Sequence, residues 1–189
     1  MDARRALLAL ALVGLVPGLS GCIGDDLING YGTIRFYLTV TGPEDSDVER
    51  FQFVQVVLTQ AAAKPADSTP IHNFEFNATG IDLVDLSKGG RFFLGEYHGK
   101  PRAFNRVSVS FLCPSASCLQ RAAWDNGTRA EILMAPNGFY FNPAVVKMEP
   151  LRLVEYELQL KIMESRGAYI IATDAANSGV KKTEFGPIF

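Results

Sequence analysis

Three cysteines carry the best-defined chemistry of this sequence, and the first of them, Cys22, ends the stretch LSGC. It follows a basic start and an apolar run over residues 6–19. A basic start, a short apolar run and small residues before a break are typical of a secretory signal. Residues 19–22 also fit a lipoprotein signal, in which the cysteine thiol is acylated, for instance with palmitate, and the chain is cut before it. We therefore expect a signal peptide at residues 1–21 and a lipid on Cys22.

The alternatives to this lipid anchor are a plain secretory signal and an uncleaved membrane anchor. The apolar run is shorter than the roughly 20 residues that cross a bilayer core, and Pro17 interrupts it. Because a single acyl chain holds a protein only marginally, stable anchoring needs two or more. The expected organisation is a tether at residues 22–30 and one domain at 31–189, at the cell membrane and facing the extracytoplasmic side.

The other two cysteines, Cys113 and Cys118, frame the stretch CPSASC. Since exported proteins meet an oxidising environment, we expect a disulfide between them. Such a small loop contributes only about 2 kcal/mol in the chain-entropy model, so the bond would stabilise one loop rather than the whole fold. A metal or redox pair is the alternative, but four intervening residues exceed the two-residue redox spacing and no nearby histidine supports a metal.

Two histidines limit the catalytic sets that the chain could assemble. We expect His72 in a strand and His98 in a turn, and no Gly-x-Ser-x-Gly nucleophile motif is present. Zinc normally needs three or four protein ligands. We therefore expect no enzymatic activity, no metal and no cofactor. The alternative in this class is a metal-dependent hydrolase that uses both histidines and acidic residues.

Two short stretches have side chains suited to binding. The acidic run GPEDSD at residues 42–47 could offer oxygens to calcium, but it lacks the twelve-residue calcium-loop pattern, and we interpret it as a solvated loop. Phe139, Tyr140 and Phe141 are consecutive, and neighbours in a strand point to opposite faces. At least one ring should therefore face outward, where it could stack on a sugar or contact a partner, unless the loop near Cys113 covers it.

Composition argues against an electrostatic partner such as nucleic acid. Without residues 1–21 the chain has 189 − 21 = 168 residues with 16 basic and 19 acidic side chains, a net charge of −3. No basic cluster is present. The motifs at Asn77 and Asn126 match N-glycosylation acceptors and predict surface loops, whether or not they are modified.

Alternating apolar and polar residues predict an all-β domain. The clearest case is GTIRFYLTV, in which Ile34, Phe36 and Leu38 share one face. About 8–10 short strands favour an antiparallel β-sandwich over a barrel, with a loop insertion near residues 113–127. Local features predict a strand in IDLVDL at 81–86, a short helix in SCLQRAAW at 117–124, a hairpin turn at Asn137-Gly138 and a bulge near Leu153.

Several of these strands resemble a family of lipid-anchored prokaryotic proteins known only as a domain of unknown function, the "four-three-eight-two" family. The resemblance rests on four stretches: GTIRFYLT at 32–39, IDLVDL at 81–86, PRAFNRVSVSF at 101–111 and LRLVEYELQL at 151–160. The chain departs from the family where Ala103 replaces a glycine and where the loop around Cys113 and Cys118 has no counterpart. The resemblance implies a prealbumin-like β-sandwich similar to the regulatory domain of carboxypeptidases, and it implies no activity.

Together these observations favour a membrane-anchored surface lipoprotein of binding or scaffolding role. Its partners would be the membrane, through the lipid, and an unidentified protein or glycan. The alternative is a lipoprotein that binds carbohydrate or another small ligand through Phe139, Tyr140 and Phe141.

Overall fold

The computed structural model describes residues 30–75, 77–114, 118–136, 138–141 and 146–185. The predicted signal peptide, Cys22 and most of the tether lie outside the described residues. Within them β-strands dominate, which confirms the all-β class.

Thirteen strands and two short helices make up the described part of the chain. The strands are β1 (Gly32–Val40), β2 (Phe51–Pro65), β3 (His72–Phe74), β4 (Thr79–Asp82), β5 (Phe92–Gly99), β6 (Ala103–Phe111), β7 (Leu119–Trp124), β8 (Arg129–Leu133), β9 (Phe139–Phe141), β10 (Val146–Lys147), β11 (Arg152–Ser165), β12 (Ala168–Thr173) and β13 (Gly179–Phe185). A 3-10 helix covers Asp47–Arg50, and the α-helix α1 covers Leu83–Ser87.

The strands form one mixed sheet in the order β10-β6-β2-β7-β8-β12-β11-β1-β5. Off this path, β13 pairs with β11, β3 and β4 pair with β2, and β9 pairs with β6. β1 and β11 are parallel through eight consecutive pairs from Thr33↔Leu153 to Val40↔Leu160, and β8 and β12 are also parallel. The expectation of a purely antiparallel arrangement is therefore not met. Alternation shows which side chains of a strand are buried, but it does not show the direction of the neighbouring strand.

The core lies where β1 and β11 meet strands from the other half of the sheet. Ile34, Phe36 and Leu38 are fully buried, as the alternation predicts. The Phe36 ring contacts Phe104 of β6 at 5.8 Å between centroids and Phe74 of β3 at 5.3 Å. Through these aromatic contacts β1 packs against β3 and β6, which are not its neighbours in the sheet order.

The predicted strand at 81–86 is a strand only up to Asp82, after which the chain forms α1. The Asp82 carboxylate accepts hydrogen bonds from the Val84 backbone N–H at 3.0 Å and from the Val54 N–H at 3.1 Å. The first bond is an N-cap, which satisfies a free donor at the start of the helix. One aspartate therefore ends β4, starts α1 and ties both to β2.

The predicted helix at 117–124 is instead strand β7, paired with β2 and β8. Ala122 is buried in the core cluster while Arg121 is exposed, so the stretch has strand alternation that its alanines obscured. The pairing partners on both sides outweigh the helix propensity of Ala, Leu and Gln.

Asn137 of the predicted hairpin turn lies outside the described residues, and in the described part of the chain the strand after it, β9, pairs with β6 rather than with β8. The predicted bulge near Leu153 is also displaced. β11 pairs with β1 in unbroken register from Leu153 onward, and its register shift lies against β13, between Glu155 and Tyr156. Local turn and phase signals place an irregularity near these residues but do not show which neighbour it affects.

Candidate functional site

The Cys113–Cys118 disulfide interrupts a single line of pairing along β2. β6 pairs with β2 up to Phe111, and β7 resumes pairing with the same strand in the same direction. Between them Cys113 and Cys118 are bonded, with Cα atoms 4.4 Å apart. The buried Gln120 amide donates to the Leu112 carbonyl oxygen at 3.3 Å. The predicted disulfide therefore joins the residues that follow β6 to those that precede β7.

The two histidines bond to different partners. The Nε2 atom of His72 lies 3.3 Å from the Glu96 carbonyl oxygen, and its ring meets Tyr97 edge-on. The Nδ1 atom of His98 lies 2.9 Å from the Thr33 hydroxyl. Among the described residues, no group of three or more His, Cys, Asp and Glu side chains is arranged to hold a metal ion.

The acidic run at 42–47 is tied to β11 rather than left wholly to solvent. The Asp47 carboxylate accepts a hydrogen bond from the Glu164 backbone N–H at 2.9 Å and pairs with Arg50 at 3.1 Å. The Ser46 hydroxyl accepts from the Ile162 N–H at 3.0 Å. These hydrogen bonds between the backbone of β11 and the side chains of Asp47 and Ser46 hold the loop at 42–47 against the sheet.

The aromatic run in β9 alternates as strand geometry requires. Phe139 and Phe141 are buried in the core cluster, while Tyr140 is 53% exposed. The guanidinium of Arg106, on the neighbouring strand β6, lies 5.4 Å from the centre of the Tyr140 ring. Only one ring of the predicted set therefore reaches solvent, and it does so beside a cation.

Asn77 and Asn126 are both exposed, as their loop assignment predicts. The Asn126 side-chain oxygen accepts from the Thr128 N–H at 2.9 Å, which is a local turn within the β7–β8 connection.

A larger cluster that the sequence analysis missed lies on the outer side of β1, β5 and β11. We call it the aromatic–ionic face, and its residues are Arg35, Tyr37, Arg91, Phe93, Glu96, Glu155 and Glu157. Arg91 is central to it, because its guanidinium lies 3.8 Å from the centre of the Tyr37 ring. Arg91 also pairs with Glu155 at 2.9 Å and with Glu157 at 3.0 Å.

Strand pairing brings this face together. The parallel register places Tyr37 of β1 beside Glu157 of β11, and the antiparallel register places Tyr37 beside Phe93 of β5. A register shift between Phe36 and Tyr37 leaves an extra residue in β5, so that Phe93 and Glu96 both lie on the outer side. The Tyr37 and Phe93 rings are 5.6 Å apart, and Phe93 is 50% exposed.

The charges of the face stabilise one another. Partial burial of Arg91 opposes its charged form, but the hydrogen bond and charge of Glu155 and the charge of Glu157 raise the pKa of Arg91 above its ordinary value. On the neighbouring row, the bond to Glu96 at 3.0 Å raises the pKa of Arg35. Both arginines are therefore permanent cations next to exposed aromatic surface.

A shallow groove of about 680 Å³ borders this face, where β3 approaches β5. It is lined by Arg35, Tyr37, Phe93, His72 and Asn73, among others. The approach requires glycine at residue 95, because a Cβ there would lie 2.5 Å from the Phe74 ring. This close packing of β3 on β5 brings a histidine and an amide to the edge of the aromatic–ionic face.

The sequence pattern places individual residues of the face, such as Arg35 and Tyr37 in β1, at outward positions of predicted strands. It does not show that β11 pairs with β1 in parallel and adds Glu155 and Glu157 to the face. The alternating carboxylates of β11 are the signal that could have suggested a charged outer face.

No helix in the described residues has the length and apolar character needed to span a membrane. In comparisons with known proteins, neither a protein family, nor a curated protein, nor a solved structure matches this chain.

Proposed function

We propose that the chain is a lipid-anchored, extracytoplasmic protein that acts by binding or scaffolding rather than by catalysis. The signal pattern ending in Cys22 supports the anchor, and the Cys113–Cys118 bond fits an oxidising compartment. We also propose that the fold is a β-sandwich of the carboxypeptidase-regulatory type. The contact between Phe36 and Phe104 across the two halves of the sheet supports this, as does the resemblance to the lipid-anchored family.

The aromatic–ionic face is the surface that we propose for partner binding, and the exposure of Phe93 is the observation that carries this proposal. A half-exposed phenylalanine in ring contact with Tyr37 would gain free energy when a partner covers it. Interface centres are enriched in aromatic residues and arginine, which are the residue types assembled here. The carboxylates hold Arg91 in place, so little side-chain freedom is lost on binding.

Intact-mass analysis of protein extracted from membranes tests the anchor. We expect cleavage before Cys22 and an added acyl mass on that residue. An unmodified Cys22 in membrane-extracted protein would contradict the anchor.

Photo-crosslinking in cells tests the binding surface. A photoreactive amino acid at Phe93 should give a defined adduct, and the adduct should be lost when Arg91→Ala loosens the Tyr37 ring beside it. Met163 is the matched control position, because it is 36% exposed near the end of β11 and lies outside the aromatic–ionic face. Equal adducts from both positions, or none from position 93 in anchored protein, would count against the face.

A second candidate is recognition of a glycan or small ligand through Tyr140. Its exposed ring beside the Arg106 guanidinium combines a stacking surface with a hydrogen-bond donor. Glycan-array binding that Tyr140→Ala abolishes would support this function, and no response across the sugars would exclude it.

A further inference from the structure

The end of the fold at which β1 begins gathers several connections. The Leu151 N–H donates to the Tyr31 carbonyl oxygen at 2.8 Å, and the Met148 N–H donates to the Arg102 carbonyl oxygen at 2.9 Å. The end of β2 reaches the same place. We call this the anchor-side end, and it comprises residues 30–32, 64–71, 99–102 and 147–152.

Charge is distributed unequally between the two ends of the molecule. The anchor-side end has five basic and two acidic residues, a net charge of 5 − 2 = +3. β13 also finishes here, but Lys182 and Glu184 pair with each other at 2.8 Å. The opposite end, at residues 41–51, 83–91, 124–129 and 163–168, has five basic and seven acidic residues, a net charge of 5 − 7 = −2. A chain that is acidic overall therefore presents a positive end.

Three lysines of the anchor-side end are available to a partner. Lys64, Lys100 and Lys147 are exposed, and none of them forms a salt bridge with a described residue. Ile71, in the connection between β2 and β3, belongs to the same end and is 47% exposed. An end that combines ammonium groups on flexible stems with an exposed aliphatic side chain is suited to phosphate headgroups and the apolar layer below them.

The proposed anchor would hold this same end close to the membrane. Cys22 and Gly30 are 30 − 22 = 8 residues apart, which is at most about 29 Å of fully extended chain. Since Gly30 belongs to the anchor-side end, its lysines would lie within reach of the bilayer surface.

We propose that the anchor-side end docks on anionic lipid headgroups through Lys64, Lys100, Lys147 and Ile71. This inference rests on the proposed lipid anchor. Docking fixes the orientation of the molecule. The acidic end points away from the membrane, and the aromatic–ionic face lies on the side of the molecule, roughly perpendicular to the membrane plane.

Chemical acetylation of lysines, measured by mass spectrometry, tests the docking. The experiment uses the full-length protein, lipidated in its host. The protein is reconstituted into vesicles of phosphatidylcholine alone or of phosphatidylcholine with phosphatidylglycerol. We expect a several-fold loss of reactivity at Lys64, Lys100 and Lys147 in the anionic vesicles, reversed by high salt. Lys88 is the matched control, because it is exposed at the opposite end and should react equally in both vesicles.

A second measurement detects the proximity of Ile71 to the membrane without relying on the reactivity of the lysines. Hydroxyl-radical oxidation of Ile71 should fall in the anionic vesicles. In the variant Lys64→Glu, Lys100→Glu, Lys147→Glu it should return to the level seen in phosphatidylcholine, whereas Lys88→Glu should leave the protection unchanged. Because the three lysines are exposed and take part in no salt bridge with the part of the chain that the structure describes, the variant should retain the fold, which circular dichroism checks.

The possible outcomes distinguish a failure of the docking from a failure of the proposed lipid anchor. Equal reactivity of the three lysines in both vesicles, with lipid present on Cys22, would overturn the docking and leave the anchor intact. Absence of lipid on Cys22 would overturn both.

Discussion

Two polar clusters of this molecule each hold a charged side chain, one buried and one partly exposed. Asp174 is 4% exposed, and its carboxylate accepts hydrogen bonds from the Thr41 hydroxyl at 2.6 Å and the Asn177 side-chain amide at 2.9 Å. Arg91, with a side chain 37% exposed, pairs with two carboxylates at similar distances. A buried charge loses much more than an exposed one when its partners are removed, because water cannot replace them.

The two clusters therefore have different roles. The Asp174 cluster holds the turn between β12 and β13 against the end of β1, so its bonds stabilise the fold. In the aromatic–ionic face the Arg91 side chain is 37% exposed, although Glu155 and Glu157 are only 12% and 14% exposed. Because water still reaches the arginine, these bonds should contribute less to folding than those of Asp174 and leave part of the surface available for binding. Substitutions in each cluster should therefore differ in their cost to stability.

Asp174→Ala should lower the free energy of unfolding by about 3 kcal/mol, because it removes several charge-assisted bonds and leaves Thr41 without its acceptor. Urea unfolding followed by circular dichroism measures this. Asp85→Ala is the matched control, since Asp85 is an exposed carboxylate that pairs with Lys88, and it should cost well under about 1 kcal/mol. Equal losses in the two variants would remove the distinction between the clusters.

Acid should weaken the same cluster. Burial opposes ionisation of Asp174, but the hydrogen bonds from Thr41 and Asn177 outweigh it and lower the pKa of this carboxyl. A depressed folded-state pKa contributes stability that is present above the unfolded value, near about 3.9, and is lost as pH falls through the folded value. Stability should therefore drop below about pH 4, and Asp174→Asn should flatten that part of the curve. An unchanged acid limb in the variant would show that other carboxylates dominate.

Arg91→Ala should cost about 1 kcal/mol of stability, since it removes a cation–π contact and two partly solvated ion pairs. The same variant should abolish the adducts that a photoreactive residue at position 93 forms with the partner, although most of the stability is retained. Arg129→Ala is the control, because it removes an arginine paired with Glu131 outside the aromatic–ionic face. If Arg91→Ala unfolds the protein, the face belongs to the structural core of the molecule.

Phe93→Ser should change stability by no more than about 0.5 kcal/mol, because half of this side chain already contacts water. Thermal unfolding checks that value, and co-purification with the crosslinked partner checks the expected loss of binding. Leu94→Ser, at the buried neighbouring position, should instead destabilise the fold strongly. Unchanged binding by Phe93→Ser would remove Phe93 from the proposed surface.

Sequence reasoning worked where one strand contains its own signal. The alternation around Phe36 identified buried and exposed faces, and the spacing of Cys113 and Cys118 identified their bond. It failed where a distant neighbour decides the outcome. The sequence of β7 favours a helix because its pairing with β2 and β8 is not visible in the local residues. The helix α1 is not predicted because the five residues that follow its Asp82 cap also fit the pattern of a strand.

Residue types and short-range spacing were enough to predict a β-rich core, the buried side of strands such as β1, and the bond between Cys113 and Cys118. The parallel pairing of β1 with β11, the contacts of Arg91 with Tyr37, Glu155 and Glu157, and the gathering of basic connections at one end came from the folded chain alone. The physical reason is that strand pairing joins residues far apart in the chain, and alternation with period two fits either direction of a neighbouring strand equally well.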